Sequence, residues 1–428
     1  MRSSNFFIPT LKENPSEAHV ISHKLMLKCG MIQQSSTGQY VWLPLGLKTL
    51  QKVESIVSLE QEKSGACRFT LPMIQSADLW KKSGRYDAYG AEMLRMNDRH
   101  GRELLFGPTA EELITYIFGT HVKSYKQLPQ NWFQIHWKFR DEIRPRFGVM
   151  RGREFLMKDG YSFDIDEESA RNTYKNVYNT YLKTFKKMGL KVLPVQANPG
   201  AIGGDLSHEF HVLAEVGEST IYYDKSFDSL EEIDFDSASH LYAAEEESHE
   251  KNENKPIESL LKSTKGIEVG HIFYYGDKYT RSMEASIMGK DGKPTFPFGG
   301  CYGIGISRLV GAIIEANHDE RGIVWPKNVS PFDISLINIC HSNEDITKIC
   351  DELYEQFNEN GIYSFYDDSK ERPGVKFSNA DLMGYPYQVI IGKKYLENNM
   401  LEVKCRRSGN VEYMNIEKCM EFFKKWHP

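Results

Sequence analysis

The sequence lacks the features that mark membrane, secreted and zinc-binding proteins. No apolar run approaches the roughly 18 residues needed to span a bilayer, and the first ten residues hold too few apolar side chains for a signal peptide. The cysteines number seven, which is odd, and include no Cys-x-x-Cys pair, which disfavours both a disulfide framework and a zinc site. We therefore expect a cytoplasmic protein that uses no zinc and contacts no membrane.

The chain also lacks the excess of positive charge that is typical of nucleic-acid-binding proteins. Its formal net charge is −6 over 428 residues, but the charges are unevenly distributed. Residues 224–262 carry 12 acidic and 4 basic side chains, whereas residues 370–428 carry 11 basic and 7 acidic ones. Such a basic C-terminal region permits local RNA binding on an acidic protein, although a solvated helix face would give similar counts.

Hydrophobic periodicity predicts two domains, residues 1–330 and residues 331–428. In the second domain the predicted strands are 332–339, 362–366 and 387–391, and the predicted helices are 344–358 and 375–383. This alternation is typical of an α/β domain with parallel strands. Within the first domain, the acidic residues 224–262 are predicted to form a surface insertion that contains a small amount of helix and lies outside the core.

The most distinctive segment runs from Phe139 to Phe155. It holds five arginines and three carboxylates in 17 residues, and it is predicted to form two strands joined by a turn at Pro145 and Gly148. Arginine keeps its charge in proteins, and its planar fork matches phosphate oxygens. The segment is therefore either a triphosphate clamp or a solvated hairpin held by salt bridges, and taken alone it leaves both interpretations open.

The segment Gly107-Pro-Thr-Ala-Glu-Glu112 precedes a predicted helix that extends to Phe118. Thr109 and Glu112 have the spacing of a capping box, in which two side chains bind the free N–H groups of the helix start. Glu111 lies about 100° around the helix from Glu112, so a capping box leaves Glu111 free. A free carboxylate beside a threonine hydroxyl is suited to hold a cationic amine.

Two further segments carry chemically useful groups. Residues 299–305, between a strand and a helix, contain four glycines that permit close approach of the backbone to a ligand. Arg308 follows in the first helical turn, where N–H groups favour anions, and a packing loop with a surface arginine is the alternative. Residues 200–211 hold two histidines and two acids without the His-Glu-x-x-His spacing, which favours a pocket wall or a structural loop over a metal site.

Four segments together resemble class II aminoacyl-tRNA synthetases, and specifically the bacterial-type prolyl-tRNA synthetase family: Gly38 to Pro44, Gly107 to Glu112, Phe139 to Phe155 and Gly299 to Arg308. Their order matches the family along nearly all of the chain. The matches are Pro44 to motif 1, Phe139-Arg-Asp-Glu142 and Arg151-x-Arg-Glu-Phe155 to motif 2, and Gly303-Ile-Gly-Ile-Ser-Arg308 to motif 3. The resemblance implies an α+β catalytic domain on an antiparallel sheet, a homodimer through motif 1, and a C-terminal α/β domain that binds the tRNA anticodon.

The resemblance also implies roles for single residues in a reaction that joins proline to tRNA(Pro) at the expense of ATP. Arg140 would bridge the ATP α-phosphate and the proline carboxylate. The other expected ATP contacts are Glu142 at the adenine amino group, Phe155 stacked on adenine, Arg151 and Arg308 at the outer phosphates, and the backbone at Gly303 and Gly305. The expected proline contacts are Thr109 and Glu111 at the imino group, and Met157, Phe210 and His271 as pocket walls. ATP is expected to arrive with Mg²⁺.

The sequence departs from the longest bacterial members of that family in one large way. Those members carry a separate editing domain between motifs 2 and 3, where this chain has only residues 224–262. We therefore expect no cis-editing of mischarged alanyl-tRNA, and a free-standing editing protein is a candidate partner. A smaller departure is His211, where glutamine is common.

Two other functions are compatible with a synthetase-like sequence. A noncatalytic, RNA-binding paralogue would be expected to lose substrate-binding groups, all of which are present here. A synthetase for threonine or glycine is the second alternative, and the absence of a Cys/His zinc set argues against the threonine type. Candidate tRNA contacts, chosen only by charge and domain, are Arg372, Lys376, Lys404, Arg406 and Arg407.

Overall fold

The computed structural model describes residues 1–16, 18–198, 200, 202–252 and 255–426. Its contacts divide the chain into two compact units. The first, called the sheet unit below, comprises Ser36–Tyr40 and Val53–Ala312. The second, called the C-terminal unit, comprises Met1–Ser35, Val41–Lys52 and Ile313–Pro428. The domain boundary expected between residues 330 and 331 stays a prediction.

The α-helices of the described residues vary in length from one turn to more than five. In chain order they are α1 (Ile21–Lys28), α2 (Pro44–Lys63), α3 (Ala77–Ser83), α4 (Arg85–Ala88), α5 (Glu111–His121), α6 (Glu167–Lys187), α7 (Phe235–Ala238), α8 (Glu246–Lys251), α9 (Lys278–Ser282), α10 (Ile306–Ala316), α11 (Glu344–Glu359), α12 (Pro373–Met383), α13 (Lys393–Asn398) and α14 (Ile416–Trp426). None of these helices combines the length and the apolar composition needed to cross a membrane.

The β-strands include several long ones and many short pairs. In chain order they are β1 (Ile32–Ser36), β2 (Gln39–Trp42), β3 (Cys67–Arg68), β4 (Ile74–Ser76), β5 (Arg95–Asn97), β6 (Glu103–Phe106), β7 (Gln130–Phe139), β8 (Glu154–Asp164), β9 (Val192–Gln196), β10 (Leu206–Ala214), β11 (Ser219–Asp224), β12 (Ala243–Glu245), β13 (Leu261–Gly276), β14 (Ile287–Met288), β15 (Pro294–Thr295), β16 (Phe298–Gly305), β17 (His318–Asp319), β18 (Gly322–Ile323), β19 (Ile334–Asn338), β20 (Ser364–Asp367), β21 (Tyr387–Ile391), β22 (Leu401–Cys405) and β23 (Val411–Met414).

The sheet unit is built on a nine-stranded sheet of order β10-β9-β12-β11-β13-β16-β8-β7-β3. Its central strands β13, β16, β8 and β7 pair antiparallel, which confirms the predicted antiparallel sheet. Among the described residues of this sheet, parallel pairing joins β3 to β7 and β12 to β9. Because successive side chains of a strand point to opposite faces, each central strand contributes alternate residues to the two faces of the sheet.

One face of this sheet is covered by α6. The helix begins after Asp166, whose Oδ1 accepts a hydrogen bond from Ser169 N at 2.9 Å, as the acidic residues there predict. Its buried aromatic residues, Tyr174, Tyr178, Tyr181 and Phe185, face the strands. From β8, Lys158 points to this side, since its Nζ donates to Tyr181 Oη at 3.1 Å. Residues 155, 157, 159 and 161 of β8 must therefore point to the opposite face.

The acidic segment 224–262 does not lie wholly outside the core, so that part of the prediction was wrong. Its strand β12 pairs with β11, and Ala243 and Ala244 are buried. A strand of three residues between polar flanks gives too short a pattern to detect in the sequence. The glycine-rich run 299–305 was likewise expected between elements, yet it is part of β16. Gly299 is required there because an added Cβ would lie 2.2 Å from the Ser162 carbonyl oxygen.

The C-terminal unit contains a five-stranded sheet of order β20-β19-β21-β22-β23. The three predicted strands are its parallel members, β20, β19 and β21, which confirms the predicted parallel α/β arrangement. Two antiparallel strands, β22 and β23, extend the sheet and were not predicted. The apolar faces of α11 and α14 pack on the sheet through residues such as Leu353, Phe357 and Phe423.

Candidate active site

A cavity of about 470 Å³ lies in the sheet unit, on the face of the nine-stranded sheet opposite α6. Its volume is typical of a small-molecule site. Neighbouring strands supply its floor: Phe155, Met157, Asp159 and Tyr161 of β8, Glu209 of β10, Glu268 and His271 of β13, and Gly303 and Gly305 of β16. The residues of β8 and β16 alternate, whereas Glu268 and His271 lie three positions apart, across the register shift where β13 pairs with Phe210 and His211 of β10. The strand pairing therefore determines which side chains reach the cavity.

This single cavity gathers residues that are almost 200 positions apart in the sequence. The predicted ATP and proline residues that line it are Thr109, Glu111, Arg140, Glu142, Arg151, Phe155, Met157, His271, Gly303, Gly305 and Arg308. Among the predicted residues for these two ligands, only Phe210 does not line it. The motifs that were separate along the chain thus form one site.

The arginine-rich segment is the connection between β7 and β8 rather than a part of the two strands. The strands end at Phe139 and begin again at Glu154, which are paired with each other. Arg146 and Arg151 form an isolated antiparallel bridge within the connection, and Phe147 and Gly148 both adopt positive φ angles of 61°. Of the five arginines in this connection, Arg140 and Arg151 line the cavity.

Arg140 differs from the other arginines of the cavity because no carboxylate of the described residues forms an ion pair with it. Its Nη2 donates to the Pro108 carbonyl oxygen at 3.2 Å, and its guanidinium carbon lies 5.5 Å from the centroid of the Phe155 ring. Its Nε is buried and has no protein hydrogen-bond partner. A buried donor without a partner is costly, so this guanidinium is suited to an anionic ligand.

Arg151 and Arg308 are instead held by carboxylates at the cavity rim. Arg151 Nε donates to Glu142 Oε2 at 3.0 Å, and Arg308 Nη1 donates to Glu268 Oε2 at 3.2 Å. Burial opposes ionisation of Glu142, but the hydrogen bonds from Arg144 N and Arg151 outweigh it and lower its pKa. The two arginines are therefore oriented toward the cavity before any phosphate binds.

Glu111 and Glu112 occupy a buried ion cluster rather than a capping box. The residue before α5 is Ala110, and no side chain caps the helix. Arg85 Nη1 donates to Glu111 Oε2 at 2.9 Å and to Glu112 Oε1 at 3.0 Å. Thr109 Oγ1 donates to the other oxygen of Glu111 at 2.9 Å. The predicted capping box was wrong because the buried guanidinium competes for both carboxylates.

The two carboxylates of this cluster differ in their titration. For Glu111, burial opposes the charge, but Arg85 and Thr109 outweigh burial and its pKa is lowered. For Glu112, burial and the neighbouring Glu111 outweigh Arg85, and its pKa is raised to about 6. Glu111 lines the cavity whereas Glu112 does not. Glu111, the carboxylate that lines the cavity, is thus the one that keeps its charge.

A second buried network holds the Thr109 side of the site. Tyr161 Oη donates to Asp159 Oδ2 at 2.8 Å and accepts a hydrogen bond from Ala110 N at 2.9 Å. Lys138 Nζ lies 3.0 Å from Asp159 Oδ1, and both residues are buried. Sequence reasoning missed Asp159 and Tyr161, although the alternation that places Phe155 and Met157 in the cavity extends to positions 159 and 161.

Phe210 was predicted as a pocket wall, and the structure places it on the other face of the sheet. Its ring packs 5.2 Å from Tyr178 and 5.3 Å from Tyr181 of α6, centroid to centroid. Its neighbour Glu209 lines the cavity instead. The prediction was wrong by one position, because adjacent residues of a strand point to opposite faces.

Near Glu209 the structure brings together side-chain atoms from three strands, β10, β12 and β13, that could bind a metal ion. In one group, a side-chain oxygen or nitrogen atom from each of Glu209, His211 and Glu245 lies within 4.8 Å of the other two. The same holds for a second group, formed by Glu209, Glu268 and His271. His211 Nε2 lies 2.8 Å from Glu209 Oε2. Burial opposes the charge of Glu268, but His271 and Arg308 outweigh burial and lower its pKa. No local spacing in the sequence indicates these groups.

The chain resembles known proteins in both of its main parts. Residues 93–317 match the family described as "tRNA synthetase class II core domain (G, H, P, S and T)", and residues 333–426 match "Anticodon binding domain". A proline–tRNA ligase from Rickettsia akari is 53% identical over 427 residues, covering 99% of this chain and 100% of that protein. The chain belongs to the prolyl-tRNA synthetase family of class II tRNA synthetases.

Other members of the prolyl-tRNA synthetase family agree with this assignment. A proline–tRNA ligase from Parvibaculum lavamentivorans is 51% identical, covering 98% of this chain and 99% of that protein. Among solved structures, prolyl-tRNA synthetase from Cryptosporidium parvum complexed with halofuginone and AMPPNP matches with a TM-score of 0.76 at 16% identity, over 95% of this chain and 78% of that one. At 16% identity, the similarity to the Cryptosporidium parvum structure supports the fold alone.

Within this synthetase, two of the five charge-selected tRNA candidates are not available to RNA. Arg406 is 1% exposed, and its Nη1 and Nη2 each donate to one oxygen of Asp319 at 2.6 Å. Lys376 is also buried, and its Nζ donates to the Asp367 carbonyl oxygen at 3.0 Å. Both side chains belong to internal ion pairs of the C-terminal unit, so the charge-based choice was wrong for them. Arg372, Lys404 and Arg407 stay candidates.

Replacing Phe210 with leucine tests the corrected side of β10 in this synthetase. We expect Phe210→Leu to lower the free energy of unfolding by about 1 kcal/mol, because ring packing against α6 is lost, and to leave the proline KM unchanged. Met157→Ala, in the cavity, should raise the proline KM about tenfold. Urea unfolding and proline-dependent ATP–pyrophosphate exchange measure the two effects. A proline KM raised equally by both variants would contradict the placement of Phe210.

Proposed function

We propose that this chain is a proline–tRNA ligase that activates proline with ATP and then transfers the prolyl group to the 3′ end of tRNA(Pro). Family membership supports the reaction class, and the cavity supports the assignment of residues. The single observation that carries it is Arg140, which has no carboxylate partner among the described residues, contacts the Pro108 carbonyl and the Phe155 ring, and shares its cavity with Thr109 and Glu111. We assign residues 1–330 to catalysis and residues 331–428 to anticodon binding.

In the proposed activation step, the proline carboxylate attacks the α-phosphorus of ATP and pyrophosphate leaves. Two anions must meet in this step, and we assign Arg140 to contact both, which would align them and disperse the charge that develops. Arg151 and Arg308 are assigned to the outer phosphates of ATP. These phosphates would compete with Glu142 for the guanidinium group of Arg151 and with Glu268 for that of Arg308. No nucleophilic side chain is required for either step.

The adenine end of ATP is assigned to the motif 2 side of the cavity. Phe155 is half-buried and lines the cavity, so one face of its ring is available for stacking. Glu142 is the carboxylate of the same segment and is assigned to the adenine amino group. The strand backbone at Gly303 and Gly305 has no side chain between it and the cavity, which leaves room for the nucleotide.

Mg²⁺ is proposed to enter with ATP, and the residues present fit it. Eight carboxylates of the described residues line the cavity, against three arginines, so a cation would offset the repulsion between this wall and a triphosphate. Carboxylate oxygens are the ligands that Mg²⁺ prefers, and we assign it to Glu209 together with either Glu245 or Glu268, each of which shares a cluster with Glu209. Bound Mg²⁺ would supply charge neutralisation at the phosphates.

The proline end of the site is assigned to Thr109 and Glu111, with Met157 and His271 as walls. The secondary ammonium of proline carries one positive charge, and Glu111 presents one ionised carboxylate to the cavity. Such a pocket excludes larger side chains but discriminates weakly against smaller ones, since a missing methylene is worth only about 1–3 kcal/mol. Some activation of alanine is therefore expected.

The proposed partners are tRNA(Pro), a second copy of the chain through the Pro44 motif, and a free-standing editing protein. A solution mass equal to that of one chain would contradict the homodimer.

We also propose a cytoplasmic location, which is supported by seven free cysteines, since thiols persist in reducing compartments. The noncatalytic alternative finds no support, because the substrate-binding groups are present and gathered in one cavity.

Replacing Arg140 with alanine tests the role of its guanidinium in activation. We expect Arg140→Ala to lower the rate of proline-dependent ATP–pyrophosphate exchange at least about 100-fold, because the anion-aligning group is removed. Arg144→Ala is the matched control, since Arg144 is an exposed arginine of the same connection and its loss should change the rate less than about twofold. Near-normal exchange by Arg140→Ala would contradict the assignment.

Mischarged alanyl-tRNA(Pro) tests whether this short chain edits its own errors. Incubation with the protein alone should release alanine no faster than a blank without protein, because the described part of this segment, 224–252 and 255–262, forms short strands and short helices rather than a separate domain. Acid-precipitable radiolabelled alanine is the measurement. Hydrolysis clearly above the blank would overturn the expectation.

Neutral substitutions at the remaining basic candidates test the anticodon face. Arg372→Ala, Lys404→Ala and Arg407→Ala should each raise the KM for tRNA(Pro), with a weaker dependence on salt, because a phosphate contact is lost. Proline-dependent exchange, which needs no tRNA, should be unchanged in the same variants. Unchanged tRNA KM values in all three variants would remove these residues from the tRNA contact surface.

A further inference from the structure

The strongest unassigned feature of the sheet unit is the buried arginine behind the cavity, Arg85. It lies at the start of α4, is 6% exposed, and is held over three aromatic rings, with its guanidinium carbon 4.9 Å from Trp80, 5.5 Å from Tyr279 and 5.8 Å from Tyr89. Its Nη1 bonds both Glu111 and Glu112. Arg85 itself does not line the cavity.

A need for stability does not account for this cluster. Three charged groups are removed from water, and buried ion pairs are on balance no better than apolar groups of the same volume. The cluster is also unbalanced, because one guanidinium faces two carboxylates. With both acids ionised its net charge is −1, and the acid that faces the cavity is Glu111.

We propose that Arg85 and Glu112 are positioning residues that set the orientation and effective charge of Glu111 for recognition of the proline ring ammonium. Arg85 fixes Glu111 from behind while Thr109 fixes its other oxygen. Glu112 takes a share of the Arg85 charge, so Glu111 is not fully neutralised. The ammonium of a bound proline then brings the cluster to neutrality. This inference rests on the proposed function of the site.

Two ligands that differ in one charge separate this role from a structural one. L-Proline carries a ring ammonium, whereas tetrahydrofuran-2-carboxylate has the same ring size with an ether oxygen and no positive charge. The ratio of their inhibition or dissociation constants reports only how well the site recognises the ammonium. A loss of packing would weaken both ligands alike and leave the ratio unchanged.

Glu112→Gln and Arg85→Met are the test variants, each measured by calorimetric binding and by exchange kinetics. In Glu112→Gln the cluster is neutral without ligand, so Glu111 should attract the ammonium less. In Arg85→Met, Glu111 loses the cation that keeps it ionised. We expect each variant to raise the proline KM and to reduce the preference for proline over the ether analogue at least about tenfold, with the ATP KM within about twofold of wild type.

Glu103→Gln and Arg95→Met are the controls, since both residues are exposed, on β6 and β5, and neither lines the cavity. They should keep the wild-type preference. If Arg85→Met does not fold, Glu112→Gln, which conserves shape, decides the question alone. A wild-type preference in Glu112→Gln would overturn the inference. Failure of the wild-type protein to prefer proline would instead overturn the proposed function.

Discussion

The constraint on which the rest of the structure depends is the side-chain alternation of paired antiparallel strands. In β8, one set of alternate residues packs against α6 and the other set forms the cavity floor, and the pairing with β16 and β13 extends the same floor to Gly303 and His271. A slip of one position in any of these strands would exchange the two sets. Apolar packing under α6 thereby fixes the position of every polar group on the other side.

On that floor the site is organised by charge. Most of its ionised groups already have protein partners, so their orientations exist without ligand. Arg140 is the exception among the arginines of the cavity, and Glu111 carries the charge of a cluster that is one cation short of neutrality. An arginine without a carboxylate partner among the described residues and an underneutralised carboxylate in the same cavity are complementary to a zwitterionic amino acid that meets an anionic phosphate. The incompletely neutralised charges of Arg140 and Glu111 together define the ligand better than either residue alone.

The sequence predicted the parts of the site that lie within short motifs. Arg140, Glu142, Arg151 and Arg308 were predicted to share a site because their spacing matches family signatures, and all four line the cavity. The α/β order of the C-terminal region was predicted because its apolar periods are long. Phe210 and Lys376 were misassigned, because face and burial depend on strand pairing and on partners far along the chain. Arg85 was not found at all, since nothing near position 85 indicates that two glutamates lie beside it.

The interpretation of the acidic segment 224–262 illustrates the same limit. Its composition predicts a solvated insertion, and most of it is one, but three residues complete the sheet and place Glu245 at the cavity. Amino-acid-dependent ATP–pyrophosphate exchange across the twenty amino acids tests the central claim most directly. The account predicts strong exchange with proline, weak exchange with alanine, and none above background with threonine or glycine. No exchange with any amino acid, or a preference for one other than proline, would contradict it.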